Sequence, residues 1–319
     1  MENPLVSIVT PCFNGEKFIE RFLNSILNQT YSNIELILIN DGSKDKTEKI
    51  IETYKAKFAK KQIEFVCEYQ ENSGQAAALN RGLKYITGEY LVWPDSDDEL
   101  MPEFIEKKVE FLQKHREFEY CYGKSIIVNE NNPENIIAIN KKRKQKGRYD
   151  FFESIVFTRN VFFGGYMVKT SALKKINPDL EIYTGRGGQN AQMLLPLGWF
   201  YGEPGYVEES VYKYYIRSNS HSHSQNSCEK IIQQLYNYEN ILEATIKRIP
   251  DEKVLRYLKP IRKYYARIRF GNAVDSKKVK LIKEEYKRLL RNGVISIHEF
   301  ALYIKYTKRM FRIIYHIEE

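Results

Sequence analysis

The feature that most constrains the fold is a regular alternation of strand and helix patterns over about the first 100 residues. Short runs of apolar and β-branched residues at 5–10, 34–39, 63–69 and 90–93 predict strands. Between them, residues 16–27, 45–58 and 75–85 have apolar positions at helical spacing. Single helices between strands predict parallel βαβ units, so the carboxyl ends of these strands should meet at one edge of an α/β sheet.

Each of these strands is followed by a polar turn. Asn14, Asp41 and Asn72 follow the first three strands, and the acidic segment 95–98 follows the fourth. Ligands of open α/β sheets bind at the carboxyl edge of the strands. Four polar turns that meet at this edge predict one binding crevice.

The acidic segment contains Asp95, Asp97 and Asp98, and Pro94 before it excludes a helical approach. Carboxylates this close repel one another unless a cation joins them, and Mg²⁺ often links such carboxylates to phosphates. These residues alone leave two interpretations: a metal–diphosphate site, or a solvated acidic loop that caps the helix starting near Pro102. The shared edge with three other polar turns favours the metal site.

Composition and missing motifs argue against several classes of protein. The 319 residues, 43% of them hydrophobic, are enough for a sizeable core. No GxGxxG follows the first strand and no GxxxxGK[ST] occurs, which argues against a dinucleotide-binding Rossmann site and a P-loop. The four cysteines form no CxxC, and no signal-peptide pattern or apolar run of about 20 residues is found. We therefore expect reduced thiols in a cytoplasmic protein.

The net charge of +9 is concentrated in the last third of the chain. Residues 226–319 contain 21 Lys and Arg against 11 Asp and Glu, whereas residues 1–225 have a net charge of −1. This asymmetry predicts a domain boundary. We assign residues 1–220 to the α/β domain and residues 221–319 to a basic helical region.

The middle of the chain has less regular patterns. They predict a helix at 103–114, a strand at 119–128, an exposed loop or hairpin at 130–148, a strand at 162–168, a flexible loop at 185–190, a short helix from 191 to 197, and a strand at 207–216.

Helical patterns fill the basic region. In the last of them, 296–317, Ile297, Phe300 and Ile304 share one side, and Lys305 and Lys308 lie on an adjacent side. Such a helix can rest on an anionic membrane, at the inner face of the plasma membrane for a cytoplasmic protein. It can instead pack on its neighbours with its basic residues outside, the interpretation that we favour. No nucleic-acid-binding motif accompanies the charge, so we expect no nucleic-acid partner.

The order of motifs over about the first 105 residues resembles glycosyltransferase family 2. These motifs are VSIVTPxFN at 6–14, QxYxNxELI at 29–37, NDGSxD at 40–45, NxG at 72–74, LNxG at 79–82, GEY at 88–90 and DSDD at 95–98. The resemblance implies a GT-A fold, an α/β domain with a mixed central sheet that binds a nucleotide sugar, followed here by the smaller helical region. It also implies a divalent cation, Mn²⁺ or Mg²⁺, and an inverting displacement at the anomeric carbon.

The family pattern implies roles for the matching residues. The implied nucleotide-sugar-binding residues are Pro11, Asn14, Asp41, Asn72, Gly74, Arg81, Asp95, Ser96 and Arg217. Within this set, Pro11 and Asn14 would line the base and ribose pocket, and Asp41 would bond the uracil. The implied metal ligands are Asp97 and Asp95, with Asp95 also on the ribose side.

One position departs from the family pattern. Many relatives have Glu-Asp before the acceptor-side helix, and that Asp is the general base, but this chain has Gln189 and Asn190. Because an amide cannot take the acceptor's proton, we consider Asp98, Asp179 and Glu181 as replacement bases. Asn190 would then orient the acceptor, or the loop has a structural role alone.

His221 and His223 follow the last predicted strand. In related enzymes a segment at this position closes over the donor, and a histidine can complete the metal shell. The resemblance thus implies that either histidine is a metal ligand and that Arg217 pairs with the diphosphate. The alternative is a pair of solvated histidines beside a linker.

The sequence therefore predicts an inverting hexosyltransferase. Its donor would be a UDP-sugar, and its acceptor a glycan, a lipid-linked glycan or a protein glycan of a bacterial surface pathway, with a homo- or hetero-oligomeric state left open. A second hypothesis is a non-catalytic subunit that binds a nucleotide sugar and acts as a scaffold for an active partner. A nucleotidyltransferase is a third hypothesis, because such an enzyme also uses a metal ion beside phosphate groups.

Overall fold

The computed structural model describes residues 3–140, 142–144, 147–158, 165–185, 187–217, 227–293 and 295–314, and for 308–314 it describes the backbone alone. The chain forms two compact units, Met1–His221 and Ser222–Glu319.

The first unit has a mixed sheet. Within the described residues nine strands form it: β1 Val6–Cys12, β2 Ile34–Asn40, β3 Glu64–Tyr69, β4 Tyr90–Val92, β5 Glu99–Leu100, β6 Tyr120–Asn129, β7 Asn132–Asn140, β8 Tyr166–Lys169 and β9 Gly205–Ile216. The strand order is β3-β2-β1-β4-β8-β6-β9-β5, and β7 pairs with β6 outside this path. The first four strands are parallel, which confirms the predicted βαβ units, whereas β8 is antiparallel to β4 and β6.

Helices flank this sheet. They are α1 Ile19–Leu27, α2 Thr47–Lys60, α3 Gln75–Leu83, α4 Phe104–Lys114, α5 Asp150–Thr158, α6 Thr170–Ile176 and α7 Gln189–Tyr201. One core cluster joins α1, α2 and α4 to the strands. On α3, a Cβ at Gly82 would lie 2.4 Å from the Val9 side chain, so this glycine lets the helix pack closely on β1.

Several boundaries differ from the predictions. β1 runs to Cys12, beyond the strand predicted at 5–10, because Pro11 still pairs with Ile39 of β2. For the segment 130–148 the structure selects the hairpin, one of the two predicted alternatives, because β7 pairs antiparallel with β6. Helices α5 and α6 were missed, and so was β5, which has two residues. The predicted strand at 162–168 is β8 in its last residues, while 162–164 lie outside the described residues.

A lysine is buried between α4 and β9. The ammonium group of Lys108 has no exposed surface, lies 3.5 Å from the centre of the Phe104 ring and donates to the Ser210 hydroxyl. Burial lowers the pKa of Lys108 from 10.5 to about 7. A Cβ at Gly123 would lie 2.9 Å from this nitrogen, so the lysine tightly fills its space.

We expect Lys108→Met to stabilise the protein at pH 7, on the order of 2–4 kcal/mol. The folded-state pKa lies below that of the unfolded chain, so the unfolded state binds more protons between about pH 7 and 10.5. The free energy of unfolding of the wild type should therefore fall as the pH falls through this range. Urea unfolding at pH 7 and pH 9 measures both effects, and the variant should lose this slope. The exposed Lys114, on the same helix, provides the control Lys114→Met, and equal behaviour of the two variants would contradict the prediction.

The second unit is helical, as predicted. Its helices are α8 Cys228–Arg248, a 3₁₀ helix Glu252–Tyr257, α9 Leu258–Asp275, α10 Val279–Arg291 and α11 Ile297–Ile314. Side chains of α8, α9 and α10 form a common core, against which part of α11 packs. Among the helices that the structure describes, none is long and apolar enough to cross a membrane.

A buried ionic network lies inside this helical unit. Arg269 is almost fully buried, pairs with Glu239, lies 3.5 Å from a Glu285 oxygen, and places its guanidinium 3.9 Å from the centre of the Tyr236 ring. Arg288 also pairs with Glu285, at 2.7 Å. Two glutamates and two arginines thus share one site, in which each carboxylate has a cationic partner.

Candidate active site

The acidic segment begins where β4 ends, at the carboxyl edge of the parallel strands. The Thr10 hydroxyl of β1 donates to the Pro94 carbonyl at 2.7 Å. From β9, the Tyr212 hydroxyl accepts from the Asp95 backbone N–H at 3.2 Å and donates to the Asp98 carboxylate at 2.8 Å. Strands on both sides thus fix the course of this segment.

Asp98 supports the segment from inside. It has no exposed surface, and its second carboxylate oxygen accepts the Tyr215 backbone N–H at 3.0 Å. Burial, together with the charges of Asp97 and Asp95, raises its pKa well above the usual value. Asp98 as general base stays a prediction: in this arrangement its two carboxylate oxygens accept from the Tyr212 hydroxyl and the Tyr215 N–H, and neither is exposed.

Asp97 is bound by arginines. Its carboxylate pairs with the Arg217 guanidinium, which also lies 4.5 Å from the centre of the Phe18 ring. Its backbone carbonyl accepts from Arg21, whose guanidinium stacks 3.6 Å from the centre of the Tyr215 ring. Arg217 therefore neutralises the proposed metal ligand in this arrangement.

Two helices have their first residue hydrogen-bonded to the Asp95 carboxylate. The first residue of α3, Gln75, donates to the Asp95 carboxylate at 2.7 Å, and the first residue of α7, Gln189, bonds the same carboxylate. A glycine with positive φ precedes each helix, Gly74 at 91° and Gly188 at 69°. Helix N-termini carry partial positive charge and free N–H groups, so this arrangement favours an anion beside the acidic segment.

The carboxylates of this segment suit a hard cation. Burial and the charge of Asp97 raise the pKa of Asp95 to about 7, against the opposing effects of Gln75, Arg217 and Gln189. Asp95 and Asp97 offer the oxygen ligands that Mg²⁺ and Mn²⁺ prefer. Among the described residues no group of three or more His, Cys, Asp and Glu side chains forms a complete metal site. The two predicted histidine ligands, His221 and His223, lie outside the described residues.

Asp41 organises the neighbouring turn rather than facing solvent. Its buried carboxylate accepts from the Gln70 amide at 2.7 Å and from the Ser73 and Gly74 backbone N–H groups at 2.9 Å each. Its carbonyl accepts from the Asn72 amide at 3.0 Å. The loop before α3 is thus shaped by the residue that we predicted to bond the uracil.

Asn14 and the turn after β2 hold each other. Asn14 has φ 49°, and its side-chain oxygen accepts the Lys44 N–H at 2.9 Å while its own N–H donates to the Ser43 hydroxyl at 2.9 Å. Gly42 has φ 75°, and a Cβ there would lie 2.6 Å from the Asn72 nitrogen. The turns after β1, β2 and β3 therefore lie side by side, as the strand order requires.

Two predicted nucleotide-binding residues have protein partners. Arg81 lies on α3 seven residues after Gly74, about 10 Å along the helix axis, and pairs with Glu68 of β3 at 2.7 Å. Ser96 is buried, and its hydroxyl bonds the Cys12 thiol. These contacts direct neither the Arg81 nor the Ser96 side chain toward Asp95.

Asn190 is held in one orientation by Trp93. The indole N–H donates to the Asn190 side-chain oxygen at 2.8 Å. An indole nitrogen only donates, so the oxygen of Asn190 must face Trp93 and its NH₂ group must point elsewhere. Asn190 can therefore serve a substrate through its NH₂ group, as a hydrogen-bond donor.

Two amide side chains clamp the loop before α7. The Asn80 amide bonds both backbone groups of Ile182, at 2.8 and 2.9 Å, and the Gln192 amide does the same to Tyr183, at 2.7 and 2.8 Å. We refer to these contacts as the two amide clamps. They connect α3, this loop and α7, the same two helices that begin at Asp95.

The other two candidate bases lie before these clamps. Glu181 is exposed and lies 3.9 Å from Lys84. Lys84 follows the last residue of α3, whereas Asp95 contacts the first residue of that helix. Asp179 is an exposed residue of the turn after α6. The structure brings neither carboxylate to Asp95 through a described contact.

Several residues of the site were not identified from the sequence. These are Arg21, Gln75, Trp93 and Tyr212, together with the clamping residues Asn80 and Gln192. Gln75 had one available signal, since it directly follows Gly74 at the start of the helix predicted at 75–85. Asn80 lies in the LNxG motif, which gave it no role. Nothing local identifies Arg21, Trp93 and Tyr212, because their partners lie far away in the sequence.

Comparison with known proteins assigns the family. The model described as "Glycosyl transferase family 2" matches residues 7–171, more than half of the chain. The chain therefore belongs to glycosyltransferase family 2.

Similar proteins agree with this assignment. An uncharacterized glycosyltransferase of Rickettsia typhi is 44% identical over 113 residues, 35% of this chain and 33% of that protein. One of Haemophilus influenzae is 42% identical over 116 residues, 36% of this chain and 45% of that protein. The chain thus spans about a third to a half of these relatives' length.

Two solved structures show the fold. S. aureus TarS 1-349 in complex with UDP-GlcNAc has a TM-score of 0.60 at 16% identity, over 95% of this chain and 89% of that chain. The mannosyltransferase PcManGT from Pyrobaculum calidifontis in complex with GDP-Man and Mn²⁺ has a TM-score of 0.53 at 15% identity, over 98% and 81%. The chain has the GT-A fold, with a mixed sheet and a helical C-terminal region, as predicted.

Proposed function

We propose that this protein is an inverting, metal-dependent glycosyltransferase that uses a UDP-sugar as donor. The observation that carries the proposal is the arrangement at Asp95, where two helix N-termini and an acidic segment meet at the carboxyl edge of the sheet. The helices offer N–H groups and positive potential to a diphosphate. The family membership supports transfer of a sugar.

A divalent cation would be held at the acidic segment. Asp97 and Asp95 would hold it, and either His221 or His223 is a proposed third ligand. When bound, the cation supplies positive charge to the departing diphosphate. Arg217 already pairs with Asp97, so we propose that it transfers this pairing to the diphosphate when donor and cation enter.

The chain's own groups would then stabilise the leaving group. N–H groups at the start of α3 and α7 face a charge that grows during bond breaking, and they bind it more strongly then than in the ground state. The polar turns around Asn14, Asp41 and Asn72 would shape the base and ribose pocket. The structures bound to UDP-GlcNAc and to GDP-Man support a nucleotide-sugar donor, and the family pattern at Asp41 favours uracil.

Asn190 would orient the acceptor through its NH₂ group. We expect Trp93→Phe and Asn190→Ala each to lower kcat/KM for the acceptor by about tenfold or more, because both remove one fixed hydrogen bond worth about 1–2 kcal/mol. The double variant should lose no more than the larger single loss, since both changes act through the same NH₂ group.

Trp199→Phe is the matched control for Trp93→Phe. Trp199 is equally buried, and it stacks on Tyr149 at 4.7 Å. Equal losses for the two tryptophan variants, or additive losses for Trp93 and Asn190, would show that Trp93 stabilises the fold alone.

The acceptor is proposed to be a bacterial surface glycan, in free, lipid-linked or protein-linked form. The bacterial origin of the relatives supports this context. The alternative is a scaffold subunit that binds a nucleotide sugar without using it, which the amides at 189 and 190 favour.

Release of UDP from a panel of UDP-sugars, with Mn²⁺, Mg²⁺ or EDTA, tests the proposal. Metal-dependent release from one sugar would support a transferase and identify its donor. Metal-dependent binding of UDP-sugars without turnover, with and without candidate acceptors, would favour the scaffold. Absence of both would overturn the assignment of the acidic segment.

A further inference from the structure

The exposed side of α10 has a stripe of basic residues. Lys280, Lys283, Lys287 and Arg291 recur every three or four positions, so they share one side of the helix, and all four are exposed. The opposite side, with residues such as Ile282, is buried in the core of the unit. We call these four residues the basic stripe.

The basic stripe has no acidic partner within the described part of the chain. Other cations of this unit do pair, such as Lys278 with Glu229 and Arg288 with Glu285. No described carboxylate forms an ion pair with the stripe, although Glu284 is exposed on the same side of α10. The stripe is therefore a field of unpaired positive charge that faces outward.

Large apolar side chains are exposed where this stripe ends. Ile297 at the start of α11 is 89% exposed, Phe300 one turn later is 52% exposed, and Leu290 in the last turn of α10 is 55% exposed. We call these three residues the apolar corner. The other side of α11 is packed, for example through Tyr303, which stacks on Tyr286 at 4.0 Å. Packing within the unit thus explains one side of α11 and leaves the apolar corner without a partner in the described residues.

The stripe and the corner are continuous along the chain. Leu290 and Arg291 are neighbours at the end of α10, and residues 292–296 lead directly to Ile297. Exposed Ile and Phe side chains favour an apolar environment, and the adjacent cations favour an anionic one. A lipid surface offers both at once, with acyl chains below anionic headgroups.

A second copy of the chain is a poorer partner. A symmetric contact through this surface would bring the two basic stripes together, which costs electrostatic energy. A nucleic acid would neutralise the stripe but would leave Ile297 and Phe300 without an apolar partner. We infer that the basic stripe and the apolar corner bind the surface of an anionic membrane.

Sedimentation of the protein with vesicles tests this inference without donor or acceptor, so its outcome is independent of the proposed function. We expect binding to phosphatidylcholine vesicles that contain phosphatidylglycerol, little binding to phosphatidylcholine alone, and weaker binding as salt increases. Lys280→Gln/Lys283→Gln/Lys287→Gln should weaken binding by about tenfold or more. Ile297→Ser/Phe300→Ser should also weaken it, with less dependence on salt.

Lys49→Gln/Lys60→Gln/Lys61→Gln is the matched control, because it removes the same charge from exposed lysines of the first unit. It should leave binding close to that of the wild type, and thermal unfolding should confirm that all variants are folded. Equal losses of vesicle binding in both triple variants would show that net charge alone determines binding, and would overturn the inference. The inference would also be overturned if the variants bound vesicles like the wild type but changed in oligomeric state or in binding to duplex DNA. A second copy of the chain or a nucleic acid would then be the partner.

Discussion

Asp97→Asn is expected to lower sugar-transfer turnover by at least about a hundredfold, the scale seen when a group that stabilises transition-state charge is removed. Asparagine keeps the size of the side chain and the backbone carbonyl that accepts from Arg21. It removes the negative charge that holds Arg217 and that would hold the cation. UDP release from the donor identified in the panel measures turnover.

Calorimetry of UDP binding adds a reading that does not depend on turnover. The wild type should bind UDP more tightly with Mn²⁺ than with EDTA, and Asp97→Asn should lose this difference. The control is Glu99→Gln, because Glu99 is a nearby half-buried carboxylate that accepts from the Tyr215 hydroxyl at 2.7 Å and lies outside the proposed metal site. If Asp97→Asn kept both turnover and the metal effect on UDP, the metal assignment would be wrong.

Arg269→Met is expected to cost about 3–5 kcal/mol of unfolding free energy, the usual effect of removing one member of a buried ionic group. Glu239 would remain buried without its cation, in surroundings that already raise its pKa by burial. Glu285 would keep Arg288 as a partner at 2.7 Å, so Glu239 should carry most of the loss. Urea unfolding followed by circular dichroism measures the change.

A second substitution separates charge from packing. Adding Glu239→Gln to Arg269→Met should restore part of the stability, because the buried amide carries no charge. Arg262→Met is the control, since Arg262 pairs with Glu243 near the surface and such pairs contribute about 0–1 kcal/mol. A loss for Arg269→Met as small as that of the control would contradict the prediction.

The sequence predicted the parallel part of the sheet because each strand there is a continuous apolar run followed by one helix. Short elements such as β5, with two residues, exist only through their pairing partner, Lys213 and Tyr212 of β9, which is far away in sequence. Local patterns cannot contain that information. The helix α5 was missed because its sequence, Asp150–Thr158, is rich in aromatic and β-branched residues that have no marked helical preference.

For the site, sequence motifs identified the acidic segment but could not give the direction of each side chain. Asp97 and Asp98 are adjacent, yet one faces Arg217 and the other is enclosed by β9. The orientation of the Asn190 side chain depends on Trp93, which is 97 residues away. The direction of a side chain depends on the packed structure, so the sequence alone does not predict which groups of these residues face the site.

The two amide clamps have a consequence for engineering. They fix the backbone at Ile182 and Tyr183 with four hydrogen bonds, directly before the segment that leads to Gln189. Residues 184–187 can therefore be replaced, because the backbone before them and the helix α7 after them are held in place. We expect libraries that vary residues 184–187 to yield folded protein, because the clamps still hold the backbone at Ile182 and Tyr183.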